Sequence, residues 1–252
     1  MTMTAASTTT PRAPALDRAV AMRLAATEYQ RMAELLAALQ HDDWTKPTDC
    51  PVWDVRAMAG HLLGMVDFAR SIRDQRRQLK IAGARGGVFI DALTALQVDE
   101  RAALSTAELV AQYAARGPKA AAGRRRVPGF IRRRTMPVPQ ELNGRAESWT
   151  IGYLVDVILT RDPWMHRVDI VRATGASHVL TKEHDGVLVA DVVAEWAQRH
   201  GQPYTLHLTG PAGGHWSSGS GGAQLELDAI EFCRLLSGRG HGTGLLATEV
   251  PF

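Results

Sequence analysis

Apolar positions recur at helical spacing through most of the first 175 residues. Over residues 15–40, Leu16, Val20, Leu24, Met32, Leu35, Leu36 and Leu39 return every three or four residues, and Asp17, Arg18, Arg23, Glu28 and Arg31 fill the opposite face. Two prolines and turn-forming Asp and Thr break the pattern in residues 41–53. Asp54 then reads as the N-cap of a helix running to about Lys80, with Val55, Met58, Ala59, Leu62, Val66, Ala69 and Ile72 on one face. A glycine-rich break, Gly83 to Gly87, has no phosphate-loop spacing, and a shorter helix is expected over residues 89–96. Ser105 and Glu108 form a capping-box pattern opening a helix through Leu109, Val110 and Tyr113, expected to weaken at Gly117-Pro118.

The next helical region spans residues 148–174 and carries Pro163, which cannot donate to residue 159 and crowds its carbonyl. A kink or a restart is expected there, and Gly175 ends the element as a C-cap. Beyond it the texture changes. Residues 185–200 form one more amphipathic helix, and residues 204–210 and 224–227 alternate as strands. Between those strands lies a glycine- and serine-rich turn holding His215 and Trp216. Asp228 caps a short helix that ends at Ser237-Gly-Arg-Gly. The organisation predicted is a short disordered tail (residues 1–14), a helical unit (residues 15–175) and a small α+β unit packed on it (residues 176–252).

Composition changes this picture little. The chain has 252 residues, 45% hydrophobic and 22% charged, which suits a globular protein with a proper core. A formal charge of +3 does not mark a nucleic-acid binder. Two widely separated cysteines, Cys50 and Cys233, make no disulfide framework and suit a reducing cytosol. No run approaches the ~18 apolar residues of a membrane span. The N-terminus lacks the basic start and apolar stretch of a secretory signal, so a cytoplasmic location is expected.

Candidate chemistry concentrates in two stretches. Asp162 and His166 are four residues apart, one above the other on a helix, so a carboxylate oxygen and a ring nitrogen can reach one cation. His61, at the edge of the apolar face of its own helix, is the best third ligand. Three N/O ligands with the remaining positions open describe a catalytic metal site. Each residue has a plainer reading. Asp162 before Pro163 can be the N-cap of a restarted helix, and His61 a core-edge histidine bonded to a backbone carbonyl. Cys50 reads as a buried loop thiol or, near a helix start, as a thiolate. The six arginines within residues 124–134 read as a solvated loop, or one that helps hold an anionic substrate, ahead of a phosphate-contacting patch. His207 and His215 read as surface or hydrogen-bonded residues rather than ligands.

Two blocks then resemble the signatures of a known family. Trp44-Thr-Lys-Pro-Thr-Asp-Cys-Pro-Val-Trp-Asp-Val-Arg-Ala-Met-Ala-Gly-His61-Leu resembles the first signature of the mycothiol-dependent maleylpyruvate isomerase family. Arg161-Asp-Pro-Trp-Met-His-Arg-Val-Asp-Ile-Val-Arg-Ala-Thr-Gly175 resembles the second. The resemblance implies a mainly α fold, a DinB-like four-helix bundle with a small C-terminal α+β domain. It also implies a divalent metal, usually zinc, held by His61, Asp162 and His166, with mycothiol or a similar thiol as co-substrate. Asp162 departs from the Glu or His often found at the middle ligand. Arg239 matches an arginine that binds the substrate's carboxylates. The activity implied is cis–trans isomerisation of a maleylpyruvate-type substrate or thiol S-transfer to another electrophile. The alternatives are a non-catalytic metal- or ligand-binding module and, using the arginine cluster, a nucleic-acid-associated protein.

Overall fold

The computed structural model describes residues 10–142 and 144–252. Four helices form the bundle: α1 (Arg18–Ala38), α2 (Val55–Arg70), α5 (Thr106–Arg126) and α8 (Leu159–Thr174). Helices α1 and α2 each pack against both α5 and α8, which closes the square. Asp54 and Ser105 cap α2 and α5 through their side chains, as the sequence pattern predicts, and Asp17, read in sequence as part of the polar face, caps α1. The core between them holds Tyr29, Met32, Leu36, Met58, Leu62, Leu63, Val66, Tyr113 and Ile170.

Helix α3 (Ile72–Arg85) and helix α4 (Phe89–Asp99) lie outside the square and pack on each other and on α2. The single helix expected from Asp54 to about Lys80 is therefore two. Ser71 is extended (φ −142°, ψ 122°), and its hydroxyl accepts from the Asp74 amide to cap α3. The chain turns there, and α4 folds back onto α2. The weakening expected at Gly117-Pro118 is also absent, because α5 runs on to Arg126. Pro118 and Ala114 are both exposed, so water can serve the carbonyl that proline leaves unbonded.

Two further corrections concern the arginine stretch and Pro163. The arginines are only partly a loop: Arg124 to Arg126 end α5, one turn, α6 (Gly129–Arg132), follows, and Arg133 and Arg134 lie in the exposed turn after it. Arg124 and Arg132 are buried. Arg132 pairs with Asp156, and Arg124 donates to the carbonyls of Val155 (2.9 Å) and Leu159 (2.8 Å). Helix α8 does not restart at Pro163. A short turn, α7 (Ile151–Tyr153), passes through a π-helical turn (Leu154–Ile158) into α8, which contains Pro163. The Leu159 carbonyl, which Pro163 cannot serve, is the one that Arg124 takes.

A two-stranded hairpin, β1 (Gln140–Leu142) and β2 (Arg145–Glu147), precedes α7. Of the expected tail, residues 1–9 lie outside the described residues. Arg12 bridges to Trp149 through its backbone and pairs with Glu147. After Gly175, left-handed at φ 74°, come α9 (Val187–His200), β3 (Tyr204–Thr209), β4 (Gly214–Ser218), β5 (Ala223–Asp228) and α10 (Ala229–Leu236). The sheet order is β4-β3-β5, antiparallel on one side of β3 and parallel on the other. Strand β4 occupies what reads in sequence as a turn, since its glycines and serines hide an alternation that only pairing with β3 reveals. Gly213 before it has no alternative, because a Cβ there would lie 2.1 Å from the Leu208 carbonyl. Among the described residues, no single helix is long and apolar enough to cross a membrane.

One core joins the C-terminal unit to α8. Trp164, Met165 and Val168 pack with Leu188, Val192, Trp196, Leu206 and Phe232. Polar seams reinforce the joint. Trp164 Nε1 and Arg167 both donate to Asp185 Oδ1 (2.9 and 2.7 Å), and Arg31 takes Oδ2. Burial pushes the Asp185 pKa up, but Arg167 and these hydrogen bonds outweigh it and leave it at about 2. Its folded pKa lies below that of an unfolded aspartate, so its contribution is complete above the ordinary aspartate range and is lost as pH falls toward about 2. Asp185→Asn is expected to cost about 2 kcal/mol at neutral pH. The variant should also lose stability less steeply than wild type over that acid window, as urea unfolding at stepped pH will register.

Candidate metal centre

Helices α2 and α8 face each other, and each carries one histidine inward at the same level. His61 and His166 are 3% and 6% exposed. Asp162 lies one turn before His166, and its Oδ1 is 3.4 Å from His61 Nε2 and 3.5 Å from His166 Nε2. One ligand atom from each of the three residues lies within 4.8 Å of the others. Asp162 is thus inside a continuous helix with its carboxylate turned to the two imidazoles, and it caps nothing.

The outer partners settle which ring nitrogen faces the centre. His61 Nδ1 is 2.7 Å from Gln97 Oε1. The Gln97 amide nitrogen is engaged by Gln78 Oε1 (2.8 Å) and Met65 Sδ (3.1 Å), so its oxygen is left for the imidazole. His166 Nδ1 is 2.9 Å from Asp169 Oδ2. With each Nδ1 held outward, both Nε2 atoms face Asp162, and a metal there would displace the proton that an imidazole shares with the carboxylate. A hydrogen bond behind each ring, at Nδ1, is what fixes the orientation of a metal-ligating histidine.

Electrostatics favours a cation at the same spot. Burial pushes the Asp162 pKa up, but the facing imidazoles outweigh it and hold the carboxyl well below the usual carboxylate range. Burial pulls the His166 pKa down, and hydrogen bonding with Asp162, Asp169 and Cys50 outweighs it, so the pKa is raised. The cluster stabilises positive charge. Asp162 Oδ2 is buried and has no hydrogen-bond partner among the described residues. A buried acceptor with no donor is costly, and a divalent cation between the two Nε2 atoms and this carboxylate answers it. The residues fit the metal.

Trp53 and Arg239 complete the surroundings. The Trp53 ring stacks on His61 (centroids 4.8 Å) and tilts against His166 (5.8 Å), covering one side. Arg239 grips Asp169 with its fork, Nε to Oδ1 at 2.7 Å and Nη2 to Oδ2 at 2.8 Å. Its Nη2 is also 3.9 Å from Cys50 Sγ. Arg239 Nη2 also lies 3.4 Å from His166 Nδ1, so the residue borders the centre directly as well as through Asp169. Gln97, Gln78, Asp169 and Trp53 were not singled out from sequence. Asp169 had a usable signal, a carboxylate one turn beyond His166. Gln97 had none, since only the break at Ser71 brings α4 to His61.

Gly64 makes room for this arrangement. A Cβ at Gly64 would lie 2.5 Å from the Gln97 side chain. Gln97→Leu, which removes the acceptor, is expected to weaken zinc binding ~10–100-fold. Gly64→Ala should weaken it in the same direction by displacing Gln97. Competition with a chromophoric chelator measures both, and unchanged affinity in Gln97→Leu would mean that His61 needs no outer partner.

The profile of the mycothiol maleylpyruvate isomerase N-terminal domain family matches residues 25–171, more than half of the chain and all three candidate ligands. The chain belongs to that family. Two relatives from Mycobacterium tuberculosis, the uncharacterized proteins Rv0036c and MT0041, are each 26% identical over 229 residues, covering 84% of this chain and 82% of theirs. The crystal structure of the mycothiol-dependent maleylpyruvate isomerase superposes with a TM-score of 0.56 at 15% identity, covering 89% of this chain and 90% of that one. A mutant of that isomerase gives 0.55 at 14% identity. At such identities the likeness shows the fold, the mainly α DinB-like architecture that the family shares.

Proposed function

We propose that this chain is a metal-dependent enzyme that activates a low-molecular-weight thiol of the mycothiol type for attack on an electrophile. The observation that carries this reading is the convergence of His61 Nε2, His166 Nε2 and Asp162 on one point, with each imidazole braced from behind. Two imidazoles and one carboxylate suit zinc and leave coordination positions open. When bound, a divalent cation supplies the charge that ionises a thiol at neutral pH.

The protein's own residues supply position and shelter. Asp169 and Gln97 hold the two imidazoles in one tautomer and one orientation. Arg239 fixes Asp169. Trp53 keeps water from one side, so a sulfur anion formed there is less solvated and a stronger nucleophile. In the isomerase form of the reaction, the sulfur bonds to one carbon of the cis double bond, the resulting single bond rotates, and elimination of the thiol leaves the trans product. In the transfer form, the sulfur stays on the electrophile. The clasp on Asp169 uses Nε and Nη2 of Arg239 and leaves the Nη1 edge of the guanidinium for a substrate carboxylate, so either form of the reaction is compatible with it.

The reading places the protein in a reducing cytoplasm, where such thiols and the free Cys50 and Cys233 persist. The test is thiol consumption by zinc-loaded protein given mycothiol with maleylpyruvate or with a panel of other electrophiles. A thioether product supports transfer, and fumarylpyruvate formed without net thiol loss supports isomerisation. A protein that holds zinc but turns over neither would be a non-catalytic metal-binding member of the fold, contrary to the proposal.

A further inference from the structure

The C-terminal sheet presents a second group of metal-ligating side chains, on its solvent face and separate from the bundle. In register, His207 of β3 stands opposite His215 of β4 on one side and Glu226 of β5 on the other. Side chains directly opposite across a ladder share a face. That face is the wet one: Thr205 and Thr209 are exposed and His207 is half-buried, while Tyr204, Leu206 and Leu208 point into the core.

The two imidazoles lie parallel, 12° apart in plane, with centroids 4.0 Å from each other. Glu226 Oε1 is 3.5 Å from His207 Nδ1. A tetrahedral zinc ion with Zn–N of about 2.0–2.1 Å holds two nitrogens roughly 3.3 Å apart. The two Cβ–Cγ bonds stand side by side on one face, so rotation of the stacked rings about them turns a nitrogen of each toward one ion. Glu226 is within reach of the Nδ1 hydrogen bond that would leave Nε2 as the ligand. Strand β3 is the central strand, so both histidines stand on backbone already fixed by the ladder, and chelation orders little besides two rings. Seven residues of sequence separate the histidines, and their pairing is visible only once β4 is recognised as a strand.

We propose that His207 and His215 form a surface site for a borderline transition-metal dication such as zinc, nickel or copper, with Glu226 orienting His207. Two imidazoles select these ions over magnesium and calcium, which take oxygen donors. The remaining positions face solvent, so the ion held here is exchangeable and open to a further donor.

The experiment is calorimetric titration of zinc into the full-length protein and into His207→Asn, His215→Asn and Glu226→Gln. Wild type is expected to bind one equivalent more than either histidine variant, and excess magnesium should not compete for it. Glu226→Gln should keep the equivalent and weaken it ~10–100-fold. Retention of the untagged wild type on nickel-charged resin, and passage of His215→Asn through it, gives a second readout. Identical stoichiometry in wild type and both histidine variants overturns the site, and an unchanged affinity in Glu226→Gln overturns the part given to that residue. The bundle centre does not enter the comparison, because its equivalent is common to all four proteins and is removed separately by His166→Ala.

Discussion

His166→Ala is expected to abolish thiol-dependent turnover and tight metal binding together while leaving the bundle folded. Removing His166 leaves His61 and Asp162, two ligands from opposing helices, and frees the open position to wander. The same change releases Asp169 from its imidazole, yet Arg239 still holds both carboxylate oxygens, so no buried charge is stranded. The loss should exceed the ~10–100-fold expected of an outer partner such as Gln97, because an inner ligand is removed rather than loosened. Zinc affinity and kcat/KM on the thiol reaction, measured side by side, check it. Turnover that survives with metal lost would detach the chemistry from these three residues.

Arg124→Ala is expected to destabilise the fold by about 3 kcal/mol. The side chain is 1% exposed. It has no carboxylate within ion-pair distance among the described residues, and its partners are backbone and hydroxyl oxygens: Val155 O at 2.9 Å, Leu159 O at 2.8 Å and Thr160 Oγ1. The Tyr29 ring lies 5.7 Å from its guanidinium carbon. Pro163 has no amide hydrogen for the Leu159 carbonyl, and the π-helical turn alters the pattern just before it. Alanine would strand these acceptors in the core at a cost of ~1–3 kcal/mol each, partly offset by removing a buried charge. A fall in Tm of roughly 6–12 °C follows for a chain of this size. Because α8 carries Asp162 and His166, zinc affinity should fall as well, and Arg124→Lys should recover only part of either effect, since it lacks the fork. A stability change below about 1 kcal/mol would mean that water serves those carbonyls instead.

Much of this was legible locally. The apolar spacing of residues 15–40, the capping residues Asp54 and Ser105, and the left-handed stop at Gly175 are short-range signals, and each sits where the pattern put it. The spacing of Asp162 and His166 was legible for the same reason, since four residues on a helix fix a face. Pro163 was misleading because its compensation lies in Arg124, far back in the chain, inside a stretch that reads as a solvated basic run. Two of the six arginines are core residues, and composition has no way to tell them from the four exposed ones. Ser71 breaks a helix whose apolar pattern continues across it, and Gln97 reaches His61 only as a result. Strand β4 is glycine- and serine-rich and is specified by its neighbour rather than by itself. Arg239 was placed near the centre through a motif, but its partner Asp169 appears only when the C-terminal unit docks on α8.

Metal content tests the central claim most directly. Elemental mass spectrometry of protein purified without chelator, on wild type and His166→Ala, should find about one equivalent of zinc, nickel, manganese or iron in the wild type that the variant lacks. A wild type that carries no metal at this centre and gains no zinc equivalent over His166→Ala on titration would contradict the account, and His61, Asp162 and His166 would then be a buried hydrogen-bonded cluster.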